Sequence, residues 1–121
     1  MTYDSVLYEV ADHIATITLN EPEKLNPMSK GIQADTIAAL GEANLDRAVR
    51  VVIITGAGRG FSAGGDVRQL GEAGDKLYGG PPGPFDRRMW LKQTQKMVLA
   101  IRECEKPVML YSVGKDSTVL L

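Results

Sequence analysis

Val51-Val52-Ile53-Ile54-Thr55-Gly56-Ala57-Gly58-Arg59-Gly60-Phe61-Ser62-Ala63-Gly64-Gly65-Asp66-Val67 is the stretch on which the reading of this chain turns. Its first five residues are apolar or β-branched at consecutive positions. That run predicts a strand covered on both faces, as in a parallel sheet. A glycine-rich loop leaves the strand at Gly56, and most of the chain's 13 glycines lie between Gly56 and Gly83. The chemistry is therefore sought in this loop.

The loop admits three readings. A dinucleotide fingerprint needs G-x-G-x-x-G; Gly56, Gly58 and Gly60 give only G-x-G-x-G, with Phe61 in the third glycine's place. A Walker-type phosphate loop ends in Gly-Lys-Ser/Thr, whereas Gly65 is followed by Asp66. The third reading is an oxyanion site. Glycine allows positive φ and close approach of a ligand. An N–H at Gly65, near the start of a short helix over about 67–71, would face an anion with the favourable end of the helix dipole, and Asp66 could cap that helix. A fourth, plainer possibility is a tight turn after a buried strand. On the loop alone these alternatives stay open.

Working outward, Val6-Leu7-Tyr8-Glu9-Val10 and Ile14-Ala15-Thr16-Ile17-Thr18-Leu19 flank Ala11-Asp12-His13, which predicts a β-hairpin. A polar loop covers 19–27. Asn26-Pro27 reads as a helix start, with Asn26 as the cap and a helix from about Met28 to Leu45. Met28, Ile32, Ile37, Leu40 and Leu45 form its apolar stripe. Past the glycine loop, Gly79-Gly80-Pro81-Pro82-Gly83-Pro84 cannot be regular structure. A second helix is expected over about 86–103, with Trp90, Thr94, Met97, Val98, Ile101 and Cys104 facing inward and Lys106-Pro107 ending it. Val108-Met109-Leu110-Tyr111 reads as another buried strand. The order is that of an α/β fold with parallel strands and right-handed crossovers.

Composition narrows the class. The 121 residues are one domain's worth or part of a larger one, with 44% hydrophobic and 24% charged residues, as in ordinary globular domains. A net charge of −1 argues against nucleic acid as a partner. No apolar run is long enough to span a bilayer, and the N-terminus lacks a signal peptide's basic and apolar regions. The single cysteine, Cys104, cannot form an internal disulfide, which points to a reducing, cytoplasmic setting. Cys104, Trp90 and Met97 read as packing residues. His13, the sole histidine, reads as a solvated turn residue. No spacing matches a metal site.

Two segments in order then carry a resemblance. Leu19-Asn20-Glu21-Pro22-Glu23-Lys24-Leu25-Asn26-Pro27-Met28-Ser29 is similar to the first signature of the enoyl-CoA hydratase (crotonase) family, and Val51 to Val67 is close to the second. Lys106-Pro107-Val108 matches the start of a third, so the resemblance covers about residues 3–108. It implies an incomplete crotonase-like fold and a partial acyl-CoA-binding domain over 1–108. The family binds acyl-CoA thioesters and stabilises the enolate oxygen with two backbone N–H groups, and Gly65 stands at the first. Lys24, Leu25, Ala63, Gly64, Gly65, Asp66 and Val67 fall where the family holds coenzyme A, which is part of the substrate and not a separate cofactor. The parent reaction is hydration or isomerisation of an enoyl-CoA.

The end of the chain departs from that pattern. After the third signature the family runs into Asn-Gly and a glycine triplet, which supplies the second donor, and then into its acid/base glutamates. Here Gly114 aligns with the Asn-Gly glycine, and Thr118, Val119 and Leu120 stand at the triplet. Residues 109–121 instead form a tail in which Ser112-Val113-Gly114-Lys115-Asp116-Ser117 resembles the pyrophosphate loop of the ATP sulfurylase small subunit. That resemblance implies a rival function, nucleotide binding through Ser112, Gly114, Lys115, Asp116 and Ser117. The expectation is a truncated or hybrid acyl-CoA protein, inactive as it stands. A non-functional fragment is the further alternative. Strands that need cover on both faces, with only two long helices to give it, imply self-association.

Overall fold

The computed structural model describes residues 2–62, 64 and 84–112, with side chains from residue 91 onward in the last stretch. Within them run β1 (Val6–Ala11), β2 (Ile14–Leu19), a 3-10 turn (Pro22–Lys24), α1 (Lys30–Leu45), β3 (Val51–Gly56), α2 (Pro84–Glu103) and β4 (Val108–Leu110). The sheet order is β1-β2-β3-β4. β1 and β2 form the expected antiparallel hairpin, closed at Ala11↔Ile14, with Asp12 and His13 both at positive φ. Such a two-residue turn matches the twist of the strands it joins. β2 pairs with β3 and β3 with β4, both parallel. This is the α/β architecture expected of an incomplete crotonase-like chain.

The core lies between one face of the sheet and the two helices. Ala15, Ile17 and Leu19 of β2 and Val52 and Ile54 of β3 meet Ile32, Ala39, Leu40 and Ala43 of α1 and Met97 of α2. Ala39 and Ala43 are small, and α1 packs against α2. Between the helices Gln33 is fully buried and satisfied: its Nε2 donates to Met28 O at 2.6 Å, and its Oε1 accepts from Thr94 Oγ1 at 2.9 Å. A buried amide left without those partners would cost about 1–3 kcal/mol.

Several expectations are corrected. α1 starts at Lys30, and its cap is Ser29, whose Oγ accepts from Ile32 N at 3.2 Å; Asn26 is not the cap but stands at φ 50. Leu45 is 84% exposed because the helix ends there, two residues past Ala43, its last core residue. α2 begins at Pro84 rather than Asp86, which suits proline's fixed φ at a helix start. On its inner face Met97 is buried and Thr94, Ile101 and Cys104 are partly so, while Val98 is 51% exposed. β3 alternates between half-buried and buried residues, so it is covered fully on one face only. β4 is the last strand in the sheet order, and there Met109 and Leu110 are 54% and 45% exposed; it is not a buried strand. The expected short helix over 67–71, the irregular segment 79–83 and the side chain of Trp90 lie outside the described residues.

Candidate functional site

β2 and β3 are parallel neighbours with Leu19 opposite Gly56, so the loops leaving their carboxyl ends run side by side. In open α/β sheets ligands bind outside those ends. The first loop turns at Pro22–Lys24 and then passes through Leu25 and Asn26, both left-handed at φ 62 and 50. The second is the glycine loop from Gly56 to Gly64. The two interlock. Asn26 Nδ2 donates to Ala57 O at 2.9 Å and to Gly60 O and Phe61 O at 3.1 Å each, while Oδ1 accepts from Glu21 N at 2.7 Å. Ser62 Oγ donates to Asn26 O at 2.7 Å and accepts from Gly64 N at 3.0 Å. Pro27 and Gly64 form a parallel bridge, with Met28 N donating to Gly64 O at 3.5 Å.

Glycine is required here for definite reasons. Gly58 lies at φ 79, and a Cβ on it would stand 2.8 Å from Pro22 Cβ. A Cβ on Gly56 would run into the Phe61 and Gly60 carbonyls. Gly58 lets the two loops close on each other, Gly56 lets the glycine loop fold back on its own start, and Leu25 lies over Gly60, with Cδ2 3.7 Å from where a Cβ would stand.

Of the residues named from sequence, Lys24 is exposed on the 3-10 turn, Leu25 is half-buried, and Gly64 is buried with φ 71. The fold brings these three onto adjacent loops. Ala63, Gly65, Asp66 and Val67 lie outside the described residues. Ser112 follows β4, whose exit sits beside that of β3: Tyr111 N donates to Ile54 O at 2.9 Å, and Thr55 Oγ1 donates to Tyr111 O at 2.8 Å. Gly114, Lys115, Asp116 and Ser117 are outside the described residues. His13 is exposed at the opposite, amino end of these strands, where its carbonyl accepts from Arg50 N. Its Nδ1 lies 2.9 Å from Ala48 O.

Two residues that sequence reasoning missed, Asn26 and Ser62, hold the loops together. The available signal was that Asn tolerates left-handed backbone better than other non-glycine residues and that Ser29, three residues before Ile32, was a rival cap. Chemically the arrangement is one of backbone. Carbonyls of the glycine loop are drawn inward to an amide, and the Gly64 N–H is held by a hydroxyl. Among the described residues no group of three or more His, Cys, Asp or Glu could hold a metal, and no helix is long and apolar enough to cross a membrane. Among the described residues the shifted ionisations belong to Tyr3 and Tyr8, outside these loops; burial raises both.

The family described as Enoyl-CoA hydratase/isomerase matches residues 9–112. The protein named probable enoyl-CoA hydratase echA12 of Mycobacterium bovis is 48% identical over 58 residues, 48% of this chain and 20% of its own. Probable enoyl-CoA hydratase EchA14 of Mycobacterium tuberculosis is 42% identical over 69 residues, 57% of this chain and 27% of its own. Among solved structures, an enoyl-CoA hydratase/isomerase from Xanthobacter autotrophicus Py2 superposes with a TM-score of 0.75 at 34% identity, over 90% of this chain and 38% of that one. An enoyl-CoA hydratase from Mycobacterium smegmatis gives 0.68 at 29% identity, over 88% of this chain and 39% of that one. The chain thus spans less than half the length of the proteins it matches.

Proposed function

The chain belongs to the enoyl-CoA hydratase/isomerase family, and from that premise we propose that its paired loops are the first part of a site for an acyl-CoA thioester. The parent chemistry is hydration or isomerisation of an enoyl-CoA through a thioester enolate. Lys24, Leu25 and Ala63 to Val67 lie against coenzyme A, and the Gly65 N–H is the first donor to the enolate oxygen. What carries this reading is the fixed polarity of the loop just before Gly65. The Gly64 N–H is held by Ser62, and the Gly64 carbonyl faces Met28 N. In a trans peptide C=O and N–H are antiparallel. A carbonyl turned toward Met28 thus supports an outward donor at the next residue. The site binds rather than turns over, because Thr118, Val119 and Leu120 stand where the family's second donor triplet is expected.

Calorimetric titration of the full chain with butyryl-CoA and, separately, with ATP tests the proposal. The expected result is saturable binding of the thioester, weakened in Gly65→Pro and largely kept in Gly65→Ala, with no ATP binding. Proline removes the N–H, whereas alanine keeps it. ATP binding without thioester binding would favour a nucleotide site at Ser112 to Ser117 instead, and binding of neither would leave no ligand site of either kind. A crotonyl-CoA hydration assay is expected to show no saturable turnover.

A further inference from the structure

We propose that Asn26 and Ser62 are positioning residues, which together fix the direction of the backbone groups in the β3 loop and so set the donor offered to a thioester oxygen. The ligand in this statement rests on the acyl-CoA reading above; the geometry does not. Asn26 is 0% exposed and Ser62 3% exposed. The two hydrogens of Asn26 Nδ2 are shared among three carbonyl oxygens, and Oδ1 takes the Glu21 N–H. Reversing that amide would set an oxygen against three carbonyls and an NH2 against an N–H, so its orientation is determined. The backbone carbonyl of the same residue holds the Ser62 hydroxyl, which in turn holds the Gly64 N–H. One residue therefore grips the loop with two arms, its amide at 57–61 and its carbonyl, through Ser62, at 62–64.

A glycine-rich loop needs such a grip. Glycine loses more backbone freedom on folding than any other residue and brings no side chain to pack. Order in the loop must come from outside it. The polarity of the grip also matters. Drawing carbonyls inward turns the following N–H groups away from Asn26, and outward N–H groups are what an anionic oxygen requires. The ionisable side chains on the segments around Asn26 are Glu21, Glu23, Lys24 and Arg59. Among the described hydrogen bonds, those of Asn26 go to none of these side chains but to backbone groups and the Ser62 hydroxyl.

Asn26→Asp isolates this donor role. A charged aspartate there has no hydrogen to give, and a protonated one has a single hydrogen. Burial against three carbonyls favours the protonated form. The variant chain is compared with the parent at about pH 5 and about pH 8, reading amide-exchange protection of residues 57–61, the segment that the Asn26 side chain holds, and affinity for butyryl-CoA. Near pH 5 both are expected within about threefold of the parent; near pH 8 both fall about tenfold or more, the size of one lost hydrogen bond. Ser62→Ala is expected to lower Gly64 protection about tenfold at both pH values while leaving the amides of 57–61 protected. A folded Asn26→Asp chain with unchanged protection of residues 57–61 and unchanged affinity near pH 8 would overturn the proposal, as would unchanged Gly64 protection in Ser62→Ala. If Asn26→Asp does not fold near pH 8, Ser62→Ala decides alone. If the parent binds no thioester, the acyl-CoA reading fails, and the exchange measurements still decide the positioning role.

Discussion

Gly41 and Gly58 carry opposite predictions from the same substitution. Gly41 sits exposed in α1 with nothing within 4 Å of an added Cβ. Gly41→Ala should stabilise the chain by about 0.5–1 kcal/mol, since alanine has less backbone freedom to lose. Gly58→Ala, at φ 79 and against Pro22, should cost about 1–2 kcal/mol. Denaturant midpoints with an unchanged slope read both. Tyr3 gives a pH prediction. Burial, and then its hydrogen bond to Glu42 at 2.6 Å, push its phenol up to about 12. A folded pKa above the unfolded value means that stability from Tyr3 is full below about pH 10 and lost as pH rises through about 12. Tyr3→Phe should flatten that alkaline decline in thermal-unfolding scans; an equally steep decline would count against it. At this scale the sequence showed the exposed turn residue His13 correctly. It could not show Asn26, because an Asn before a Pro fits both a helix cap and a left-handed clamp. Only the proximity of the glycine loop, created by the β2–β3 register, separates the two.

The elements were legible where periodicity was long. The hairpin, β3 and both helices lie close to where alternation and apolar spacing put them, and the errors fall at ends and faces. α1 loses its first two expected residues because a serine cap competes with the asparagine. Val98 points outward because Met97, its neighbour, takes the core position. The end of α1 illustrates a contact that no local pattern reveals. Lys106 Nζ donates to Ala43 O at 2.7 Å and to Asp46 O, capping the helix from a residue far along the chain. Asn44 Oδ1 accepts from Glu105 N at 2.9 Å beside it. A cation at a helix C-terminus satisfies its last carbonyls and complements its dipole. Lys106→Met, which keeps the stem and drops the charge, should destabilise the chain by about 1 kcal/mol. An unchanged denaturation midpoint would show that the lysine is merely a surface group.

For the whole molecule, the α/β architecture followed from the order of elements, but its exposure did not. Consecutive apolar residues in β4 looked like a doubly covered strand, yet the strand ends the sheet order, with Met109, Leu110 and Tyr111 half-exposed. Leu91, Val98 and Leu99 of α2 are exposed as well. Apolar surface beside a strand that, among the described residues, has no further neighbour favours association. The chain is therefore expected to self-associate as its concentration rises, and sedimentation velocity showing a monomer throughout would contradict this. The two candidate loops were legible as a pair of signatures but not as a single interlocked structure, since that depends on two parallel strands placing their carboxyl ends together. The most direct test of acyl-CoA binding at the paired loops is a nitrogen-15 NMR titration of the full chain with butyryl-CoA, a saturated thioester with no double bond to hydrate. Saturable shifts are expected in the amides of Lys24, Leu25, Gly58, Gly60, Gly64 and Gly65, with Tyr3 and His13 unmoved. Shifts confined to Ser112 to Ser117, or no saturable shifts at all, would contradict it.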